Sequence, residues 1–407
     1  MTDRASVWVL GADCMTGLQA ARLLSRRGYA LIGVAADPRS PFCRSRAWSR
    51  LVRGPDPAGL ETESGARTFA SALEAELRAG PSPAVLLPCT DGHVRALDRE
   101  RARLSRVAHF VLPPSPVLAQ LTDKARSSAH AERCGLDVPA TLVLADEEAL
   151  ERACTTLGFP VVLKPALRTP AWLAEAGGKV LRLDSPDALR RAFRRLAPVA
   201  CQGLVVQSWI PGGDDAMYSF YAFFDAAGRR QVALVARKIR QWPPGTGSGS
   251  LAVECDRPEV VAAGTRLLEA SGHVGLAAVQ LKQHAQTGRF LFVEANIGRV
   301  TMNMPIAEHC GVELLDTVVR ASLGRSLPGA RTVSRPGGRW ISLKLDLPAG
   351  FVLWRRGELS LVDWARSLRG THWHGTGSWR DPLPVVLDWL RKLPTGPRRL
   401  RRLARRR

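Results

Sequence analysis

Apolar residues in the first third of the chain come in short runs, separated by segments with helical spacing. Four runs have the length of buried strands, at residues 7–10, 30–36, 84–88 and 110–112. Between the first two, residues 18–27 place apolar side chains at helical intervals, and Gly28 ends that helix. This alternation predicts a parallel sheet with helices on its faces. The segment 113–116 (PPSP) predicts a linker, so we expect a first domain over residues 1–115.

The middle of the chain predicts two α+β units. In residues 116–200, helices are expected at 123–134, 147–157 and 186–196, with Thr122 or Asp123 as the N-cap of the first. Strands are expected there at 138–144, 161–164 and 180–183. In residues 201–330, strands are expected at 204–210, 218–224, 232–236, 277–282 and 290–295, and a helix at 260–271. Turns at 225–228 and 286–288 predict two hairpins.

Residues 331–407 form a C-terminal extension rich in Trp and Arg, in which no periodicity assigns an element. The composition of the whole 407-residue chain, 45% apolar and 23% charged, is typical of a soluble globular protein. No run of about 18 uncharged apolar residues predicts a membrane span. The apolar stretch before Asp13 is too short for a signal peptide. None of the eight cysteines has C-x-x-C spacing, so we expect reduced thiols in a cytoplasmic protein.

The net charge of +21 is high, and seven arginines lie in the last ten residues. One interpretation is an anionic partner for this tail, either nucleic acid or an anionic membrane surface. The alternative is a solvated tail in a chain that favours Arg over Lys throughout.

Two further patterns have weak functional interpretations. The turn G-A-D-C-M-T-G at 11–17, with Asp37 downstream, is a degraded form of a dinucleotide-binding fingerprint. The alternative is that Gly11 and Gly17 only permit a tight strand-to-helix turn. His372 and His374, in T-H-W-H-G, lack a third metal-binding partner and are more typical of structural or surface residues.

The segment G-F-P-V-V-L-K-P at 158–165 ends an apolar strand in Lys164. Burying an unpaired ammonium is costly, so this lysine requires an anion nearby, and a phosphate would serve. The alternative is that the lysine extends from the strand end to water.

The segment L-V-V-Q-S-W-I-P-G-G-D-D at 204–215 is an apolar strand followed by a turn and two acids. An adenine ring would lie against such a strand, with its edge bound by Gln207 and by the backbone of Ser208, Trp209 and Ile210. Asp214 or Asp215 would accept hydrogen bonds from ribose hydroxyls. The alternative is a strand with a solvated acidic turn.

The segment R-F-L-F-V-E-A-N at 289–296 places Glu294 and Asn296 two positions apart on a strand, so both side chains project to one face. Two oxygen ligands at this spacing predict a Mg²⁺ site. The alternative is a strand terminus in which Asn296 caps the turn.

Taken in order, these segments resemble the ATP-grasp superfamily. The resemblance covers about residues 1–325 and also includes L-T-D-K near 121, R-K-I-R at 237 and E-A-N at 294. Within the superfamily the chain is most similar to carboxylate–amine ligases such as D-aspartate ligase and the carbamoyl-phosphate-synthase-like group. The implied fold is a Rossmann-like pre-ATP-grasp domain (1–115), a two-lobed ATP-grasp fold (116–200 and 201–330) and a basic C-terminal extension (331–407).

The resemblance also implies residue roles and cofactors. ATP and Mg²⁺ would bind, with Lys124 and Lys164 on the phosphates and Gln207 and the following backbone on adenine. Lys238 would face the phosphates or an acyl-phosphate, with Arg240 as its neighbour. Arg299 would bind the substrate carboxylate or the transferring phosphoryl group.

Two departures from the family pattern stand out. The second metal-binding acid expected on the strand before E-A-N is replaced by Gln280, whose amide oxygen is a weaker magnesium ligand. The loop after Lys164, which is usually rich in glycine, contains a Trp and a Pro and has glycines only at Gly177 and Gly178.

The expected activity is ATP-dependent ligation of a carboxylate and an amine, both small and amino-acid-like molecules, through an acyl-phosphate. The alternative is a nucleotide-binding module with little turnover, tethered to an anionic partner by its basic tail. Substrate specificity is expected near Asp91, in the loop P-C-T-D-G, and in the Trp-rich C-terminus.

Overall fold

The first sheet is parallel, as the alternation of patterns predicted. The computed structural model describes residues 5–166, 169–200, 203–327, 333–370 and 372–391. The first sheet has the strand order β3-β2-β1-β4. Its strands are β1 (Ser6–Leu10), β2 (Ala30–Ala35), β3 (Arg50–Arg53) and β4 (Ala84–Pro88). The helices of this region are α1 (Met15–Ser25), α2 (Glu63–Ala79), α3 (Asp91–Arg99), α4 (Arg101–Leu104) and α5 (Ser115–Thr122).

The predicted strand at 110–112 is wrong. Of residues 109–112, only His109 forms a β-bridge to the sheet, with Val85 of β4. The run is apolar because Leu112 is buried in the core and Phe110 packs against it, which needs no strand ladder. An apolar run alone does not distinguish these two situations.

The glycines of the β1–α1 turn have a steric explanation. Gly11 has a φ of +106°, a conformation that favours glycine. A Cβ on Gly17 would lie 2.2 Å from the carbonyl oxygen of Gly11. The tight turn therefore requires both glycines.

The second sheet is antiparallel and has its own hydrophobic core. Its strand order is β5-β8-β6-β7. The strands are β5 (Thr141–Leu144), β6 (Val161–Pro165), β7 (Leu181–Leu183) and β8 (Leu204–Ser208), and the helices are α6 (Lys124–Arg133), α7 (Glu147–Thr156), α8 (Pro170–Ala176) and α9 (Pro186–Leu196). Asp123 is the N-cap of α6 and accepts from the amide of Arg126. Because β8 pairs in this sheet, the expected division at 200/201 falls before the sheet is complete; the domain bounds stay a prediction.

The third sheet has seven strands in the order β13-β12-β9-β10-β11-β14-β15. The strands are β9 (Met217–Phe224), β10 (Arg230–Trp242), β11 (Ser248–Glu254), β12 (Gly275–Gln283), β13 (Phe290–Ile297), β14 (Arg339–Ile341) and β15 (His372–His374). The helices are α10 (Pro258–Ala270), α11 (Ile306–His309), α12 (Leu314–Ser322), α13 (Leu343–Arg355), α14 (Leu361–Ser367) and α15 (Leu383–Leu390). The pairs β9–β10 and β12–β13 are antiparallel hairpins, as their turns predicted.

The C-terminal extension is tied to the rest of the molecule. Its strand β14 pairs with β11. The guanidinium of Arg22 on α1 donates to the Asp381 carboxylate at 2.9 Å, and both side chains are buried. Gln19, also on α1, accepts hydrogen bonds from the indoles of Trp340 and Trp373. None of the helices in the described part of the chain is long and apolar enough to cross a membrane.

Candidate functional site

A cleft of about 1230 Å³ lies between the second and third sheets. All of the site residues predicted from the sequence line it. They are Lys124, Lys164, Gln207, Ser208, Trp209, Ile210, Asp214, Asp215, Lys238, Arg240, Gln280, Glu294, Asn296 and Arg299. These positions span 176 residues of sequence (299 − 124 + 1) and come from both sheets and their loops.

Oxygen donors for a metal are grouped at one end of the cleft. Gln280 on β12 lies directly opposite Glu294 on β13 in the antiparallel register. Asn296 follows two positions along the same strand. The group therefore combines one carboxylate with two amides. In the part of the chain that the structure describes, no cluster of three His, Cys, Asp or Glu side chains could hold a metal ion.

Arg299 connects this group to the first domain. Its side chain donates to Asp91, the first residue of α3, and to the side-chain oxygen of Asn296. The loop around Asp91, where specificity was expected, therefore reaches the cleft. Because two acceptors hold the guanidinium, its position is well defined.

A hydrogen-bonded chain of Lys238, Gln241 and Asp214 lines the cleft. The ammonium of Lys238 donates to Oε1 of Gln241 at 2.8 Å, and Nε2 of Gln241 donates to Oδ1 of Asp214 at 2.6 Å. Burial lowers the pKa of Lys238 to about 8, although Asp214 and Glu294 act in the opposite direction. The lysine thus lies in a desolvated position, where an anion would stabilise its charge.

Asp214 and Asp215, the two candidate ribose ligands, differ in environment. Burial raises the pKa of Asp214, and its Oδ2 is a buried oxygen with no hydrogen-bond partner among the described residues. Its Oδ1 also accepts from the amide of Gly245 at 2.9 Å. Asp215 is exposed and forms an ion pair with Arg237 at 2.6 Å. Of these two carboxylates, only that of Asp214 therefore presents a buried, uncommitted oxygen to the cleft.

The predicted adenine-binding segment is partly committed to the second sheet. Gln207 is buried, and its Nε2 donates to Oγ1 of Thr141 at 2.8 Å. The amides of Ser208 and Trp209 donate to carbonyls of the same sheet at 2.9 and 3.0 Å. The remaining groups available for an adenine edge are therefore fewer than the sequence suggested.

Trp209 is flanked by two cations that sequence reasoning missed. The Lys282 ammonium lies 4.4 Å from the ring centroid and the Arg182 guanidinium 4.9 Å from it. Burial lowers the pKa of Lys282 to about 8. Lys282 follows Gln280 by two positions on a strand, so the period of a strand was the signal that would have found it. Gln241 and Arg182 carried no comparable signal.

Lys124 and Lys164 both line the cleft near the end of β6. Lys164 is half-buried in that strand, and the ammonium of Lys124 donates to the carbonyls of Pro165 and Ala166. The unusual loop that follows contains helix α8, whose Trp172 is fully buried. The Trp172 indole donates to the carbonyl of Gly178 at 3.0 Å, so the tryptophan anchors the glycine turn.

Arg240 lines the cleft, but its guanidinium is committed elsewhere. Nε and Nη2 both donate to the Asp346 carboxylate at 2.9 Å, and Nη1 donates to Ser367. Both partners of the ion pair are buried. The predicted catalytic role of Arg240 stays a prediction, and this geometry favours a structural role instead.

Two functional interpretations, metal binding by His372 and His374 and an anionic partner for the tail, gain no support from the structure. His374 lies in β15 and lines no part of the cleft, and burial lowers its pKa. The arginine-rich tail, at 398–407, lies outside the described residues.

No protein-family model matches the chain. Over 88 residues it is 31% identical to the ADP-forming acetate–CoA ligase II of Archaeoglobus fulgidus, a match that covers 21% of this chain and 13% of that protein. The chain thus spans a small fraction of this curated relative.

Similarity to solved structures extends over most of the chain. One is the biotin carboxylase domain of Hydrogenobacter thermophilus 2-oxoglutarate carboxylase with MgADP, ADP and bicarbonate: TM-score 0.63, 16% identity, 82% of this chain and 73% of that one. Another is N5-carboxyaminoimidazole synthetase from Staphylococcus aureus with ADP: TM-score 0.61, 12% identity, 80% and 79% covered. A third is L-amino acid ligase from Bacillus licheniformis: TM-score 0.59, 14% identity, 79% and 75% covered. The chain therefore has the ATP-grasp fold that the order of its motifs predicted.

Proposed function

We propose that this protein uses ATP and Mg²⁺ to join a small-molecule carboxylate to an amine through an acyl-phosphate. One observation carries the proposal: residues predicted for phosphate, ribose, metal and substrate from distant motifs all line one cleft. The neighbours of like fold whose structures hold ADP or MgADP support the choice of nucleotide.

The residues of the cleft suit a nucleotide. Oδ2 of Asp214 is a buried acceptor with no protein partner, and a ribose hydroxyl is a donor of the kind it lacks. Lys124, Lys164 and Lys238 supply positive charge on the phosphate side. A triphosphate would restore the charged form that burial disfavours at Lys238.

The oxygen donors suit a magnesium ion of modest affinity. Glu294, Asn296 and Gln280 would hold it, since Mg²⁺ takes oxygen ligands and usually keeps several waters. When bound, the ion neutralises charge on the phosphates. With a single carboxylate among the three ligands, the site carries one negative charge fewer than the family pattern.

The chain contributes positioning and charge to the reaction. A carboxylate oxygen of the acid attacks the γ-phosphorus of ATP and ADP leaves, which gives the acyl-phosphate. The amine nitrogen then attacks the acyl carbon, loses a proton and expels inorganic phosphate. Arg299, fixed by Asp91, would hold the acid or the transferring phosphoryl group, and Lys238 would face the same group. No protein nucleophile is required.

The four-part division predicted from the sequence fits this proposal. Residues 1–115 would contribute to substrate binding through Asp91, and residues 116–200 and 201–330 would form the two lobes around the nucleotide. By its pairing, β8 belongs with the smaller lobe. Residues 331–407 would form the C-terminal extension.

A nucleotide-binding module with little turnover is the second candidate. Gln280 favours this candidate, because an amide in place of a carboxylate weakens the binding of the Mg²⁺ ion that catalysis needs. In this case ATP would bind in the cleft without being consumed.

The two candidates differ in ADP release. The wild-type protein is incubated with ATP, Mg²⁺ and pools of amino acids, beside Lys164→Ala and the control Arg191→Ala. Arg191 is an exposed cation on α9, a helix that packs against the sheet containing Lys164, and it lies outside the cleft. Ligation predicts ADP release by wild type and control in at least one pool, and little by Lys164→Ala. ATP binding without ADP release above that variant would favour the second candidate.

A further inference from the structure

Exposed apolar side chains are concentrated in the C-terminal extension. Among the described residues, fourteen large hydrophobic side chains are exposed, and eleven of them lie between residues 343 and 390. The other three are Leu51, Val143 and Leu173. Contiguous exposed apolar surface on a folded protein usually marks an interaction site.

Helix α13 exposes one apolar stripe. Leu343, Leu347, Phe351 and Trp354 follow at intervals of four, four and three, which places them on one face of the helix. Each is at least 40% exposed. The opposite face carries Asp346 and Ala349, which are fully buried against the third sheet. The helix is therefore already packed against the protein through its buried face, while the side chains of its stripe remain exposed.

Helix α15 repeats the pattern. Leu383, Val386, Trp389 and Leu390 form its exposed stripe, while Pro384 and Asp388 are buried. The ammonium of Lys344 on α13 pairs with the carboxylate of Asp388, so the two helices are held near each other. Between them in sequence, Trp379 is fully exposed. We call the exposed stripes of α13 and α15, with Trp379, the C-terminal face.

The charge around this face is positive. Exposed Arg355 and Arg380 directly follow Trp354 and Trp379. Three of the five acids in residues 343–390 are buried in ion pairs: Asp346 with Arg240, Asp381 with Arg22 and Asp388 with Lys344. The two exposed acids, Glu358 and Asp363, are paired with Arg356 and Arg366. The sequence continues after α15 for seventeen residues (407 − 390), and seven of the last ten are arginine.

The apolar stripes and the positive charge together discriminate among three possible binding partners of the C-terminal face. A second copy of the chain would bring one basic segment against another, which like-charge repulsion disfavours. A nucleic acid would neutralise the arginines but would leave the Leu and Val side chains exposed to water. An anionic lipid surface satisfies both, because Trp and Phe enter the interface while arginines contact the headgroups.

We propose that the C-terminal face docks on an anionic membrane surface. This goes beyond the proposed ligase activity and does not depend on it. The same extension contributes Leu353, Arg356 and Leu359 to the cleft. Docking would therefore bring the cleft near the lipid surface.

Vesicle co-sedimentation of the full chain tests the proposal. Vesicles of phosphatidylcholine alone are compared with vesicles in which part of the lipid is phosphatidylglycerol. The test variant is Phe351→Ser/Trp354→Ser, and the matched control is Val143→Ser/Leu173→Ser, which removes similarly exposed side chains elsewhere. We expect binding to anionic vesicles, weakened about tenfold or more in the test variant, unchanged in the control and reduced by salt.

Three outcomes would overturn the proposal. Equal binding by wild type and test variant, with loss only on deletion of 398–407, would show that the tail acts by charge alone. A wild-type dimer that the test variant converts to a monomer, without vesicle binding, would identify a second copy as the occupant. Tight binding of a DNA duplex with no vesicle binding would identify nucleic acid. Thermal melting by circular dichroism verifies that the variants, which change only exposed side chains, stay folded.

Discussion

At the scale of single residues, the balance of charge around the proposed metal decides how the cleft would work. Gln280 lies directly opposite Glu294 on the neighbouring strand, at the position where the sequence resemblance implies an acid. An amide oxygen coordinates Mg²⁺ without neutralising its charge. We therefore expect this protein to need more magnesium than relatives with two carboxylates.

Gln280→Glu should strengthen magnesium binding. The second carboxylate should lower the Mg²⁺ concentration that half-saturates ATP binding by roughly tenfold, because affinity rises with ligand charge. Isothermal titration of ATP at a series of magnesium concentrations measures this.

The matched control for this substitution is Gln283→Glu, on the same strand but outside the cleft. If both variants respond alike, Gln280 does not contact the metal and the proposed ligand set is wrong.

A pH dependence follows from Lys238. Its pKa is lowered to about 8, so the free protein carries the charge near neutral pH and loses it as pH rises through that value. ATP affinity should therefore fall between about pH 7 and 9, a range in which an ordinary lysine stays charged. Nucleotide titrations at fixed ionic strength across this range measure the effect.

Lys238→Arg serves as the control, because a guanidinium stays protonated over the whole range. The fall in affinity should be smaller in this variant. An identical fall in both proteins would assign the titration to another group.

At the scale of elements, the pair of Arg240 and Asp346 joins β10 to α13. Asp346 is fully buried and accepts from Arg240 and also from Ser250 and the Trp364 indole. A buried carboxylate with this many donors is satisfied, and removing it leaves a buried guanidinium without compensation. The pair therefore fastens the C-terminal extension to the third sheet.

Asp346→Ala should lower the free energy of unfolding by about 3–5 kcal/mol. Asp363→Ala, which breaks the exposed ion pair with Arg366, should change it by about 1 kcal/mol or less. Urea denaturation of both variants provides the comparison. Similar small losses would mean that the buried pair does not hold the extension in place.

The elements that the sequence predicted are those with a strong local signal. The helix at 186–196 coincides with α9, whose Ser185 cap and amphipathic spacing are visible in the sequence. The strands β3 and β11 were missed, because β3 has arginine at both ends and β11 follows a glycine-rich stretch. The run at 110–112 was wrongly assigned as a strand, because a buried apolar segment has the same sequence pattern whether or not it forms strand hydrogen bonds.

At the scale of the whole molecule, the two sides of the cleft have separate hydrophobic cores. The small antiparallel sheet packs on α7, α8 and α9, whereas a continuous core joins the first sheet to the large sheet. One hydrogen bond that crosses the cleft runs from Lys179, after α8, to Ser248 on β11. The nucleotide site proposed above lies at this junction.

The order of motifs predicted the composition of this cleft, but local pattern could not predict its contacts. The commitment of Arg240 depends on Asp346, more than a hundred residues away, and that of Arg299 on Asp91 in the first domain. The structure of the C-terminal extension could not be predicted from local pattern either, because it also depends on contacts between residues far apart in sequence. Its anchors, such as Arg22 with Asp381, join distant parts of the chain and leave no periodic signal.

The central claim is that an acid is activated by phosphoryl transfer from ATP in this cleft. The most direct measurement follows ¹⁸O from the carboxylate of the acid that stimulates ADP release. An acyl-phosphate intermediate predicts that the inorganic phosphate formed carries one ¹⁸O atom from the acid, seen by mass spectrometry. Phosphate without ¹⁸O from the acid would contradict the claim, since water and not the carboxylate would then have attacked the nucleotide.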